Sequence, residues 1–136
     1  MRIHPIIYAA IFLCSVSLAS AQRKGKMVFE KLHHDFGKVS PGQKLLRHTF
    51  RYINEGRAPI SITKVRPSCD CTVPKWTTTP VAVKDSGMVQ ITLNAKELSG
   101  KFTKHITLLT DGVPQAVLIK VSGEKQGRKK TSASLG

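Results

Sequence analysis

The chain is predicted to be all-β: an antiparallel sandwich of about seven short strands, preceded by a signal peptide. Three observations predict it. Apolar residues alternate with polar ones over short runs, most clearly Val89, Ile91 and Leu93 between Gln90, Thr92 and Asn94. Gly, Pro, Asn and Asp fall mostly between those runs, where turns belong. Between the two ends of the chain, no segment sustains a helical period. A small β-barrel is the alternative arrangement of the same strands.

The N-terminus comes first. Arg2 supplies a positive charge, residues 6–18 are apolar or small and uncharged, and Ala19-Ser20-Ala21 places small residues at a cleavage site. The apolar run is ~13 residues, and a spanning helix needs ~20, so residues 1–21 are read as a secretory signal cleaved before Gln22. Cys14 raises the alternative of a lipidated cysteine. It follows Leu13 inside the apolar run rather than a small residue at its end, and is expected to leave with the signal. The mature chain then ends up in the periplasm or is secreted. It keeps only Cys69 and Cys71, in a compartment where a disulfide persists. About 115 residues remain, which suits one domain. The expected division is a basic arm at 22–26, the sandwich at 27–125 and a basic disordered tail at 126–136. No later run is long enough to span a bilayer.

The strands follow in order. Residues 27–32 form a short first one. Residues 45–53 place Phe50 and Tyr52 on one face, with Thr49 and Arg51 on the other, and Asn54-Glu55-Gly56 ends them as a turn. Residues 59–65 turn Ile60 and Ile62 inward, and residues 88–94 carry the alternation already noted. In residues 102–110, Ile106 and Leu108 face inward; Lys104 shares their parity, so the strand starts at the rim or carries a bulge. Residues 116–122 present Val117, Ile119 and Val121. Between these last two runs Asp111-Gly112 is a hairpin signal, since both residues tolerate φ > 0. The predicted core is Phe50, Tyr52, Ile60, Ile62, Val89, Ile91, Leu93, Ile106, Leu108, Val117 and Ile119. An immunoglobulin-like sandwich has about this size. Cys69 and Cys71 stand too close in sequence to bridge two sheets, so the apolar core must hold the sandwich together.

The charge is lopsided, with 22 Lys+Arg against 8 Asp+Glu. Without Arg2 the mature chain has 21 against 8, or +13. Such an excess favours polyanions, but here it is spread along the chain. The expectation is weak, salt-dependent contact with anionic envelope surfaces. No specific nucleic-acid binding is expected, because there is no aromatic platform for bases.

One element offers chemistry, Cys69-Asp70-Cys71, in a turn or loop flanked by Pro67, Ser68 and Pro74. Three readings of it stand. The thiols fill space or form a local disulfide with a structural role, worth only ~1.6 kcal/mol because the closed loop is tiny. They bind a soft metal, Cu(I) or Zn²⁺, with further ligands from His33, His34, His48, His105 or a second chain, since two thiolates are too few for a closed zinc site. Or they form a redox couple, against which Asp70 acts by disfavouring a thiolate. His33 and His34 point to opposite faces if they lie on a strand, which opposes joint chelation. Trp76 is read as a core or rim packing residue. The chain carries no G-x-S-x-G, no phosphate-binding Gly-rich loop and no H-E-x-x-H. Its carboxylates are few and scattered, so no enzymatic activity and no cofactor are expected.

The run His34-Asp35-Phe36-Gly37-Lys38-Val39, then Pro41-Gly42, then His48 to Gly56 resembles one bacterial family. The resemblance continues through Pro59-Ile60-Ser61-Ile62, Val65 to Thr72 with its C-x-C-T, Ser86-Gly87 and Ile91-Thr92. The chain is similar to domain-of-unknown-function family 1573, common in Bacteroidetes and related to Hydin-type immunoglobulin-like domains, from about Phe29 to Glu124. The resemblance implies a seven-stranded sandwich and an exported protein, and implies no activity. Asp70 departs from the glycine usual between the two cysteines of that family.

These readings converge on an exported, non-enzymatic envelope module. It is expected to bind an unidentified protein partner through its sandwich faces or an exposed strand edge. The alternatives are a metal- or thiol-handling protein acting through Cys69 and Cys71, and a weak binder of envelope polyanions.

Overall fold

A computed structural model describes residues 22–128. The expected signal peptide and residues 129–136 of the expected tail lie outside the described residues. Among the described residues eight strands are formed: β1 (Met27–Phe29), β2 (His33–Val39), β3 (Leu45–Asn54), β4 (Ile62–Pro67), β5 (Thr72–Trp76), β6 (Ser86–Asn94), β7 (Gly100–Thr110) and β8 (Ala116–Lys125). A 3-10 turn, Ala95–Glu97, follows β6. The strands make two sheets of four, ordered β1-β3-β6-β5 and β2-β8-β7-β4. No helix among the described residues is long and apolar enough to cross a membrane.

The immunoglobulin-like sandwich follows from the alternation. β3 and β6 pair antiparallel from Leu45 opposite Asn94 to Ile53 opposite Ser86, and β7 and β8 from Gly100 opposite Lys125 to Leu109 opposite Ala116. Along each strand every second side chain points into the space between the sheets. All eleven predicted core residues are buried there.

The pairing is not wholly antiparallel, because β2 runs parallel to β8. β2 and β5 are also strands that the alternation did not predict. β2 reads HHDFGKV, and its register shifts between Asp35 and Lys38. Gly37 takes φ 65° there, and its N–H donates to Asp35 Oδ1 at 2.8 Å. That bulge puts Phe36 and Val39 on the same side although they are three apart, which erases the period of two. β5 contains Pro74, which argues against a strand unless the strand lies at an edge, and β5 is at an edge.

The hairpin expectation also changes. Asp111 and Gly112 do not make a tight left-handed turn; the connection spans residues 111–115, and neither residue has φ > 0. Glycine is required at 112 for space, since a Cβ would lie 2.5 Å from Gly25 O and 2.6 Å from Ile60 Cδ1. The end of the basic arm at 22–26 is docked on the sandwich. Gly25 is buried, Arg57 N donates to Lys24 O (2.9 Å) and Val113 N to Gly25 O (2.9 Å).

Asn54, fully buried, closes this end of the sandwich. Its Oδ1 accepts from Lys26 N (3.0 Å) and Gly56 N (2.9 Å), and its Nδ2 donates to Ala58 O (2.8 Å) and Val81 O (2.9 Å). One amide side chain thereby satisfies Lys26 N, Gly56 N and Ala58 O, which no strand ladder reaches, and adds a second bond to Val81 O, which also accepts from Ile60 N.

Candidate functional site

The cysteine turn joins the last residue of β4 to the first of β5, and so crosses from one sheet to the other. Ser68 N donates to His105 O (2.8 Å), His105 N to Ser68 Oγ (3.0 Å), and Asn94 N to Cys71 O (2.8 Å), which ties the turn to both sheets. Thr72 N donates to Cys69 O (3.2 Å) and Cys71 N to Cys69 Sγ (3.0 Å). The two sulfurs are in bonding contact, with Cα atoms 5.2 Å apart. Cys71 is buried, and half-buried Cys69 packs against the core. Among the described residues no three His, Cys, Asp or Glu side chains gather as metal ligands, so none of His33, His34, His48 and His105 is brought to the sulfurs.

The histidines separate as strand geometry requires. His33 points outward, its Nε2 2.8 Å from Ser122 Oγ. His34 points inward and stacks on His48 of β3, ring centroids 3.6 Å apart and planes within 8°. Phe36 meets His34 edge-on at 4.6 Å, and Phe50 meets His48 at 4.7 Å. Burial holds both imidazoles below the ordinary histidine value. For His34, Asp35 opposes this shift while His33 and Lys31 add to it; for His48, His34 and Lys31 add to it. This pair bridges the two sheets, and only the fold shows it, since its members stand on strands far apart in sequence.

The lateral edge formed by β4 and β5 is blunt. Antiparallel pairing turns the backbone groups of alternate residues toward the neighbouring strand. Asn94 N bonds Cys71 O, and Thr77 N bonds Met88 O at 3.0 Å, so Val73 and Lys75 face β6 while Pro74 and Trp76 face the free edge. The Ser68–His105 bond likewise leaves Val65 and Pro67 facing outward from β4. Both prolines thus sit where an amide would be offered to an incoming strand, and neither has one. Trp76 packs against the core, its ring bordering an open depression of about 400 Å³ lined also by Pro74, Lys75, Thr78 and Met88.

The two outer faces carry different side chains. On the outer face of the β1-β3-β6-β5 sheet, Leu45 (54 % exposed), Ile53 (39 %), Val73 (58 %) and Met88 (45 %) stand in water. Arg47, Arg51 and Lys75 stand among them, with Thr49, Gln90 and Thr92. The outer face of the other sheet exposes Leu118 and mixes Lys101, Lys120 and His33 with Asp35 and Glu124. Alternation makes single outward positions such as Thr49 and Arg51 readable, but the neighbours across strands depend on the register.

A family model described as "Protein of unknown function (DUF1573)" matches residues 27–125. No curated protein sequence matches the chain. Among solved structures, the chain is similar to a protein of unknown function from Porphyromonas gingivalis, with a TM-score of 0.66 at 16 % identity. That match covers 81 % of this chain and 51 % of the other, so this chain spans about half its length. The ASH/PapD-like domain 7 of human CEP192 aligns with a TM-score of 0.59 at 11 % identity, covering 78 % of this chain and 89 % of that one. The secreted serine protease VesC of Vibrio cholerae aligns at 0.56 and 15 % identity, over 74 % of this chain and 23 % of the protease. At such identities the likeness is one of fold.

Proposed function

Because the chain belongs to the DUF1573 family, whose model spans the whole sandwich, we propose that it is an exported, non-enzymatic envelope module that binds protein partners through a sheet face. The observation that carries this reading is the placement of Leu45, Ile53, Val73 and Met88, all exposed, on one outer face among Arg47, Arg51 and Lys75. Apolar side chains interleaved with cations and with no carboxylate at the outward positions of β3, β6 and β5 offer a partner both burial and charge complementarity. The blunt β4–β5 edge favours the face over strand addition there. Export rests on the charge, the apolar run and the Ala19-Ser20-Ala21 site of the N-terminus.

The test is site-specific photo-crosslinking in the intact bacterium. A photoreactive residue replaces Thr92 on the proposed face, or Lys120 on the opposite one. Adducts to a discrete protein from position 92 and none from 120 are expected. Absence of adducts at 92 rejects the reading. Mass spectrometry of the same protein tests export, an N-terminus at Gln22 being expected. An intact Met1, or a lipid on Cys14, overturns that part.

A further inference from the structure

We infer that the outer face of the β1-β3-β6-β5 sheet docks an acidic protein segment, with Arg47, Arg51 and Lys75 meeting its carboxylates and Leu45, Val73 and Met88 its apolar side chains. This rests on the reading above and names the chemistry of the partner. The register fixes the pattern. Arg51 stands opposite Met88, Thr49 opposite Gln90 and Arg47 opposite Thr92; beyond β6, Gln90 stands opposite Lys75 and Thr92 opposite Val73. Four residues along β3 place Arg47 and Arg51 ~13 Å apart, and Lys75 lies two strands over, ~10 Å from the β3 axis. Arg47 Nε donates to Thr92 Oγ1 (3.4 Å), a bond that uses neither terminal nitrogen of the guanidinium and so leaves both for a ligand.

Charge complementarity selects the occupant. The outward positions of β3, β6 and β5 hold no carboxylate. Glu30 stands beside the face, just past β1, where its N–H donates to Arg51 O (3.2 Å). Asp85 and Glu97 flank β6 and are occupied locally, Asp85 accepting from Ser86 N (2.8 Å) and Glu97 from Asn94 Nδ2 (2.6 Å). The other sheet, by contrast, sets Lys101 opposite Glu124. A second copy docking face to face would oppose cation to cation. The chain's own C-terminal residues, Arg128-Lys129-Lys130, carry the same sign as the face. The outward positions of β3, β6 and β5 also hold no aromatic ring, the group that stacks on bases and anchors at lipid headgroups. A protein surface that alternates carboxylates with apolar side chains matches all of these features.

The test titrates the chain from Gln22 to Gly136 with a soluble peptide of alternating Glu and Val. Its Lys–Val counterpart, polyphosphate and phosphatidylglycerol vesicles serve as competing probes. Amide shifts in the NMR spectrum locate the contact, and Trp76 fluorescence follows affinity. Shifts confined to β3, β6 and β5 are expected. The Arg47→Glu, Arg51→Glu double variant should bind about tenfold more weakly or worse, and Met88→Asp should also weaken binding. Lys101→Glu, Lys120→Glu on the other sheet should bind as wild type. All of these positions face water, and circular dichroism checks that each variant folds. Equal loss in the Lys101/Lys120 variant, no loss in the Arg47/Arg51 variant, or tighter binding to polyphosphate or vesicles than to the Glu–Val peptide overturns the inference. A crosslinked partner at position 92 that presents a neutral or basic surface overturns it too, while leaving protein binding intact. Absence of crosslinks removes the reading beneath it.

Discussion

Tyr52 shows how tightly single residues are fitted. Its ring covers Gly87, the residue opposite it on β6; a Cβ there would lie 2.3 Å from Cζ and Oη. Gly87→Ala therefore forces the ring to move, with an expected loss of ~1–3 kcal/mol in chemical denaturation. Among the described residues the buried phenol oxygen has no hydrogen-bond partner, and burial raises its pKa. Removing an unsatisfied polar atom relieves a desolvation penalty, so Tyr52→Phe should leave stability unchanged or raise it by about 1 kcal/mol. A loss above that amount would reveal a partner for the hydroxyl.

The stacked histidines make a second prediction at the same scale. In the unfolded chain His34 and His48 titrate near 6.5, and in the folded chain burial holds both lower. The folded state thus binds fewer protons, so their contribution is present above that value and is lost as pH falls through the lower, folded one. The denaturation midpoint should drop on acidification from about pH 7.5 to about pH 5, and the His34→Gln, His48→Gln variant should drop less. An equal drop in the variant would assign the effect to other groups.

At the scale of elements, β4 and β5 are edges kept from growing. Pro74→Thr restores an amide facing outward from β5, and concentration-dependent association is expected in analytical ultracentrifugation where wild type shows none. The turn between these edges is expected to matter little to stability. A disulfide closing so small a loop contributes at most ~1.6 kcal/mol by chain entropy. Replacing Cys69 and Cys71 by Ala should therefore lower stability by no more than about 2 kcal/mol, part of it from lost packing of buried Cys71. A wild-type chain that copurifies with stoichiometric copper or zinc, lost in this variant, would restore the metal reading of the two sulfurs.

Across the whole molecule, stability rests on two things, the apolar layer between the sheets and the buried amide of Asn54. Ile91, fully buried on β6, should lose ~2–5 kcal/mol when cut to Ala. Asn54→Ala removes no large apolar volume, yet strands Lys26 N, Gly56 N and Ala58 O and takes one of the two bonds from Val81 O. Its expected loss is about 3 kcal/mol or more, since each orphaned backbone group carries its own penalty. Smaller losses at both positions would place the main stabilisation elsewhere.

The fold class and the core were legible in the sequence because alternation is a local property. A strand's inward face is written in every second residue, and Phe50, Tyr52, Val89, Ile91 and Leu93 needed no knowledge of their neighbours. What escaped is what depends on partners. β2 carries a bulge at Gly37 that breaks its period, and β5 is tolerated around Pro74 only because it lies at an edge. The cysteines could be paired on paper, but not placed at a crossing between sheets. Nor could the sequence bring His34 to His48, or set Arg51 beside Met88 and Thr92 beside Val73. Those neighbours are set by register and by which sheet each strand joins, and both are decided only when the two apolar faces close on one another.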